Sequence, residues 1–242
     1  MNKLILTIAA LALATSAAVA QETIRIGTEG AYPPYNFIND ANEVDGFERA
    51  VGDELCSRAG VTCEWVINDW DTMIPNLVAG NYDLIMAGMS ITEARAKLIS
   101  FTQNYLLPDP SVYVTLAGKD ASVTKGVVAA QSNTIQAGHV AETAASLVEF
   151  PTPDETIAAV RSGEADAVMA DYAFLKPLVE ESNGELIFIG EKVLIGGGIG
   201  MGVRQSDNEL REKFDALIGE MKKDGSLNEL IVKWFGEERE LF

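Results

Sequence analysis

Ala79-Gly-Asn-Tyr-Asp-Leu-Ile-Met-Ala87, running on through Gly88 and Met89 into Ser90-Ile-Thr-Glu-Ala-Arg95, reads as a helix end, a buried strand and a new helix start. Gly80 suits the left-handed position that closes a helix. The apolar run after it has the length and composition of a strand covered on both faces. Ser90 and Glu93 stand three apart, the spacing of a capping box, and predict a helix beginning here. A helix start at the carboxyl end of a strand presents unpaired backbone N–H groups and a partial positive charge. Arg95 adds a permanent, fork-shaped cation that can grip a carboxylate through two hydrogen bonds. Together these features describe a pocket for a small anion, although an ordinary helix start with a surface arginine reads the same locally.

The stretch recurs. Ser162-Gly-Glu-Ala-Asp-Ala-Val-Met-Ala170 repeats Gly80, Asp83, Met86 and Ala87 as Gly163, Asp166, Met169 and Ala170 at identical spacing. Around the first copy, Ile24–Thr28 alternates as a strand, Glu48–Arg58 reads as a helix ending before Gly60, Glu64–Ile67 as a strand, and Trp70–Ala79 as a helix. Alternating strands and helices predict an α/β fold with mainly parallel sheets covered on both faces. Two copies predict two such units of similar plan, with Gly88–Ser90 and Asp171–Tyr172 facing a shared cleft, since ligands of open α/β sheets bind at the carboxyl ends of strands. Val127–Ala130 is a further buried strand, and Gln131-Ser-Asn-Thr134 supplies cap-type residues after it. This places Asn133 and Thr134 beside the same anion, and Asp171 at a strand end is suited to an ammonium group. Anion donors and one carboxylate describe a zwitterion site, which points to an α-amino acid.

Residues 1–20 have one Lys, the apolar run Leu4–Leu13 and Ala18-Val-Ala20 before Gln21, the pattern of a cleavable secretory signal. The apolar core is too short to span a bilayer, and no Cys follows the cleavage site to take a lipid. The expected mature protein is therefore soluble and exported. Its formal charge moves from −18 to −19 (17 basic against 36 acidic residues), because only Lys3 is removed. Such a chain repels nucleic acid and anionic membranes. Cys56 and Cys63, seven apart in an exported chain, are expected to form a disulfide. The single His139 and the lack of any Cys/His/carboxylate cluster predict neither metal nor cofactor.

With these residues in place the chain resembles the periplasmic polar-amino-acid-binding proteins of ABC importers, the extracellular solute-binding proteins of family 3. The lysine/arginine/ornithine, histidine and opine binders are the nearest in pattern. The resemblance runs over 21–242 and rests on an ordered set of short matches. These include Ile24–Thr28 with Tyr32-Pro-Pro-Tyr35, Gly46-Phe47, the cysteine pair, Trp70–Pro75, Ser90–Arg95, Gly200–Arg204, Asp224-Gly225 and Lys233-Trp-Phe235. It implies two lobes joined by two hinge crossover strands, with a ligand cleft between them. Lobe 1 would comprise 21–107 and 198–242, and lobe 2 would comprise 108–197. The crossings would fall near Leu107–Ser111 and Leu194–Gly198, and closure would be a hinge motion about them.

Carried over position by position, Arg95 matches the arginine that pairs with a ligand α-carboxylate, and Ser90 and Thr134 match residues that assist it. Asp171 matches the acid that takes the α-ammonium. Tyr32 and Trp70 match aromatic walls that sandwich the ligand side chain, with Trp70 expected to be the less buried of the two. Glu29 matches an acid used against a distal cation. Gly88 and Met89 complete the pocket wall with Ala87, and Ala87-Gly88 departs from the pair of serines usual in basic-amino-acid binders. The usual Gly-Phe-Asp is here Gly46-Phe47-Glu48. The implied function is a receptor for arginine, ornithine or lysine that delivers its ligand to membrane permease subunits, acting as a monomer and without catalysis. An opine or neutral polar amino acid is the alternative ligand, and an exported dehydratase on the same fold is the alternative of another class.

Overall fold

Walking the chain in the computed structural model, which describes residues 22–242, the first elements are β1 (Thr23–Thr28), β2 (Ala31–Tyr32), β3 (Asn36–Ile38), β4 (Val44–Asp45), α1 (Phe47–Ala59), β5 (Thr62–Ile67), α2 (Met73–Val78), β6 (Leu84–Ile85), α3 (Glu93–Ala96) and β7 (Ser100–Leu106). There follow β8 (Ser111–Leu116), β9 (Val127–Gln131), α4 (Ile135–Ala141), β10 (Ser146–Phe150), α5 (Pro153–Ser162), β11 (Ala167–Asp171), α6 (Tyr172–Glu181) and β12 (Leu186–Val193). The chain ends with β13 (Ile199–Val203), α7 (Asn208–Asp224) and α8 (Ser226–Phe235). The expected signal at 1–20 lies outside the described residues. Within them, no helix is long and apolar enough to cross a membrane.

Two five-stranded sheets result, in the orders β5-β1-β6-β13-β7 and β10-β9-β11-β8-β12. In the first, β5, β1, β6 and β7 run one way and β13 runs against its neighbours β6 and β7. In the second, β10, β9, β11 and β12 run one way and β8 runs against β11 and β12. The reversed strand in each sheet is the one that arrives from the other body, so the same plan is built twice. The chain leaves the first sheet after β7 and enters the second at β8, then returns between β12 and β13.

The sequence repeat has a structural cause. Gly80 and Gly163 both lie at left-handed φ, +82° and +80°, where a side chain would be strained. Asp83 and Asp166 then do the same work in the two sheets. The Asp83 main chain donates to the Arg25 carbonyl (2.8 Å), and its carboxylate accepts from the Arg25 N–H (3.0 Å). Asp166 pairs identically with Val127, at 2.7 and 2.9 Å. Each aspartate therefore fixes the start of the strand second from the sheet edge, β1 or β9, beside the strand it precedes.

Helix α1 buries Phe47, Val51 and Leu55 one turn apart, the stripe expected of a core-facing helix. Its partners include Phe214, Ile218, Leu227 and Ile231 from α7 and α8, so both ends of the chain build the first body. Cys56 and Cys63 form a disulfide with Cα atoms 6.1 Å apart, tying the end of α1 to β5. Two predicted elements are shorter than expected. The helix read over Trp70–Ala79 opens as a 3₁₀ turn, Trp70–Thr72, before α2, and the strand read up to Gly88 pairs only over Leu84–Ile85. Residues 86–90 continue as an irregular strap along the edge of the cleft, bent at Ala87–Gly88 where Gly88 takes a left-handed φ of 63°.

Candidate functional site

The carboxyl ends of β1, β6, β9 and β11 converge from the two bodies and place Glu29, Gly88, Ser90, Gln131, Thr134 and Asp171 around one cavity. The empty space between them measures about 510 Å³, including the part open to solvent. The bodies touch across it. Trp70 Nε1 donates to the Ser132 carbonyl (2.9 Å), Ser132 Oγ and Asn133 Nδ2 donate to Asp71 (2.7 and 2.9 Å), and Gln131 Nε2 donates to Glu29 (2.6 Å). The structure is thus a closed form.

Arg95 supplies the positive pole. Its guanidinium donates to the carbonyls of Ser90 (2.9 Å) and Asn133 (3.1 Å) and lies 5.1 Å from the centre of the Trp70 ring. Among the described residues no carboxylate lies within ion-pair distance of it. Burial pulls its pKa down to about 10, against the pull of Asp171, so it stays charged at neutral pH. A half-buried guanidinium without a carboxylate partner is held at a cost, and a carboxylate brought by a ligand satisfies it with fork geometry.

Two acids face it. Asp171 closes β11 and begins α6; its Oδ2 accepts from the Tyr32 hydroxyl (3.0 Å) and its Oδ1 from Gln136 Nε2 (3.0 Å). Burial, helped by the neighbouring charge of Asp109, raises its pKa to about 7, against the hydrogen bonds from Tyr32 and Gln136. Glu29 is raised to about 7 as well, first by burial and then by the charges of Asp69 and Asp71, against the hydrogen bond from Gln131. A cation entering between these groups would reverse both shifts.

One half-buried cation and two carboxyls held near neutrality, in a cleft between two bodies of the same plan, fit an α-amino acid receptor. The sequence profile of the bacterial extracellular solute-binding proteins, family 3, matches residues 24–237. The chain belongs to that family.

Among its relatives, the histidine-binding periplasmic protein of Escherichia coli K12 is 33% identical over 257 residues, covering 97% of each chain. The lysine/arginine/ornithine-binding periplasmic protein of the same organism is 30% identical over 92% of this chain and 91% of that one. A crystal structure of a periplasmic His/Glu/Gln/Arg/opine family-binding protein from Silicibacter pomeroyi, in complex with lysine, is 65% identical. It has a TM-score of 0.88 and covers 90% of this chain and 100% of that one. These relatives are periplasmic binding proteins.

Against this family 3 frame, most of the sequence-derived residues come together. Glu29, Tyr32, Trp70, Gly88, Ser90, Arg95, Thr134 and Asp171 all line the cavity. Met89 does not: it is buried in the hydrophobic cluster with Met73, Leu77 and Tyr82, because the chain bends at Ala87–Gly88, where Gly88 takes a left-handed φ of 63°. Asn133 is also outside the cavity; it holds a left-handed φ of 56° and spends its side chain on Asp71 at the rim. The expected burial of the aromatics is inverted. Trp70 is 9% exposed, covered by Arg95 and Ser132, whereas Tyr32 is half-buried and stacks on Phe174 at 4.2 Å.

The capping box at Ser90 is also not realised. Thr92 caps α3 by accepting from the Arg95 N–H (3.2 Å), and α3 is only four residues long, so its dipole contributes little. Ser90 instead lends Arg95 its carbonyl. Thr134 does cap α4, accepting from Ala137 N at 3.1 Å. Sequence reading missed Gln131, Gln136 and Phe174 as cavity residues. The two glutamines flank Thr134 among apolar neighbours, which was the available signal; Phe174 gave none, because its partner Tyr32 lies far away in sequence.

Proposed function

We propose that this family 3 protein captures a cationic α-amino acid, arginine, ornithine or lysine, by closing two lobes over it, and delivers it to the permease of an ABC importer. The observation that carries the reading is Arg95, half-buried and charged with carbonyls but no carboxylate around it. In this reading Arg95 takes the α-carboxylate beside Ser90 and Thr134, Asp171 takes the α-ammonium, and Glu29 takes the distal cation. Tyr32, Trp70 and Gly88 form the walls. The lobes are 21–107 with 198–242, and 108–197, hinged at the two crossings. The protein works in the periplasm as a monomer, after removal of residues 1–20. It turns nothing over, since each acid in the cleft is tied to a neutral donor and stands as a counter-ion. Relatives that bind histidine and lysine/arginine/ornithine support the cationic class.

Titration calorimetry of the mature protein with arginine, lysine, ornithine, histidine, glutamine and octopine tests this. Tight binding of a cationic amino acid is expected, and binding of glutamine alone would sink the reading. Glu29→Gln is expected to weaken cationic ligands roughly ten- to a hundredfold, as loss of one charged hydrogen bond does. Neutral ligands should be unaffected, and an equal loss for both classes would remove Glu29 from its role.

The raised acids also predict a pH dependence. With Glu29 and Asp171 both near 7 in the empty closed cleft, a cation must displace their protons. Affinity for a cationic ligand should therefore fall by about ten- to a hundredfold from pH 8 to pH 6, with proton release on binding. The stability of the empty closed form has the opposite sign. A carboxyl raised above its unfolded pKa of about 4 contributes stability that is fully present below that value and is lost as pH rises through about 7. The ligand-free melting temperature should fall between pH 5 and pH 8, and bound ligand should abolish the fall. A flat affinity profile over this range would refute both shifts.

A further inference from the structure

Glu48, the second residue of α1, is fully buried, and among the described residues no cation pairs with it. Three donors hold its carboxylate instead. Oε1 accepts from the Gly88 N–H (2.8 Å) and from the Tyr105 hydroxyl, and Oε2 accepts from Asn36 Nδ2 (2.7 Å). Asn36 is itself fully buried, and its Oδ1 accepts from the Gly30 N–H at 2.7 Å. The two ends of this buried bridge are main-chain N–H groups of the two lobe-1 segments that line the cleft. Gly30 follows Glu29 directly, and Gly88 lies in the strap that leads to Ser90, the carbonyl partner of Arg95.

The Gly88 strap is held by little else. Strand β6 pairs over two residues only, and beyond the Met86 N–H to Gly27 carbonyl bond (2.9 Å) the strap is next fixed by the single bridge between Ser90 and Ile199. The Gly88 N–H sits in the gap. A carboxylate is the side chain that fits there, because it accepts at both oxygens; an amide would turn a donor toward Gly88 or Asn36. Burial pushes the Glu48 carboxyl up, and the bonds from Tyr105, Gly88 and Asn36 oppose that shift. Its place in the first turn of a thirteen-residue helix also favours the anion.

We propose that Glu48, acting through Gly88 and through Asn36 to Gly30, is a positioning residue that fixes the spacing between Glu29 and the Gly88–Ser90 strap, and so sets selectivity for ligands with a distal cation. It touches no ligand. The inference rests on the reading of Arg95 and Glu29 as the two poles of the site.

The test compares wild type, Glu48→Gln and Val51→Ala, a core change on the same helix away from the cleft. Arginine and glutamine are titrated into each, with melting temperature measured alongside. Glu48→Gln is expected to lower arginine affinity at least tenfold and to reduce the arginine-to-glutamine ratio, while Val51→Ala lowers the melting temperature and leaves that ratio within about twofold. If Glu48→Gln loses stability but keeps the wild-type ratio, the residue is structural only and the inference falls. Should that variant not fold, Asn36→Ala releases the Gly30 end alone and is read by the same ratio. Wild-type protein that binds arginine while the variants keep its ratio overturns the inference and spares the proposed function. Wild-type protein that binds no cationic amino acid overturns both.

Discussion

Arg95→Ala should abolish amino-acid binding across ligand classes while leaving the empty protein as stable as wild type or more so. The two effects have one origin. Removing one member of a buried, hydrogen-bonded charge pair costs about 2–5 kcal/mol, or roughly thirty- to several-thousandfold in affinity, and the α-carboxylate is common to every candidate ligand. Without ligand the balance reverses. The guanidinium lies half-buried over Trp70 with two carbonyls and no carboxylate, and its pKa is pulled down to about 10, a sign that the charge is held at a cost. Truncation removes that cost and leaves the Ser90 and Asn133 carbonyls short of a donor, a smaller penalty because a carbonyl tolerates under-pairing better than an N–H does. Calorimetry and melting curves on the same sample decide it. Unchanged affinity would refute the carboxylate assignment, and a large fall in the ligand-free melting temperature would make Arg95 a structural residue. Arg95→Lys separates charge from shape: it keeps the cation, loses the fork, and should bind at intermediate strength.

The sequence carried these predictions unevenly, and the physical reasons are specific. The doubled unit was legible because Gly80/Asp83 and Gly163/Asp166 solve the same local problem twice: a helix must end, and a strand must be set in register beside its neighbour. Local chemistry of that kind leaves a local mark. Arg95, Thr134 and Asp171 were legible for a related reason, since strand ends and helix caps fall at predictable places along the chain. Met89 and Asn133 were not, because a single left-handed residue, Gly88 before Met89 and Asn133 itself, turns a side chain from the cavity to the core or the rim. The capping box misled because Ser90 and Thr92 both satisfy a cap pattern, and the pairing of Ser90 with Ile199 decides between them. That pairing joins residues more than a hundred positions apart. Tyr32 with Phe174 and Trp70 with Ser132 are likewise distant in sequence, and together they inverted the expected burial of the two aromatics. Glu48 was visible as a longer acid in a familiar position, but its bond to Gly88 depends on how α1 packs under the strap.

The crossing between the two bodies carries the second large effect. Asp109 sits in the segment between β7 and β8, and its side chain is 2% exposed. Its Oδ1 pairs with Arg239, and its Oδ2 accepts from the Tyr35 hydroxyl (3.2 Å) and from the Ala173 N–H (2.8 Å) at the start of α6. Arg239 also donates to the Leu107 carbonyl at 2.6 Å, so the C-terminal segment straps the crossing from outside. One carboxylate thus joins the crossing, both bodies and the chain terminus. Arg239→Met keeps most of the apolar stem but leaves Asp109 buried without a cation, the change that costs about 3–5 kcal/mol in buried pairs. For a chain of this size that amounts to a fall in melting temperature of roughly 6–20 °C. Asp109→Asn in the same background should recover part of the loss, because it removes the stranded charge and still offers an acceptor to Tyr35 and Ala173. A double-mutant cycle separates this from simple loss of packing: coupling between the two sites is expected, and strict additivity would show that they act independently. The variant should also bind ligand less tightly, since Ala173 is two residues from Asp171 and a crossing no longer tied to α6 gives the closed form less support. Loss of stability with full affinity would confine the pair to holding the fold and leave closure to the contacts across the cleft.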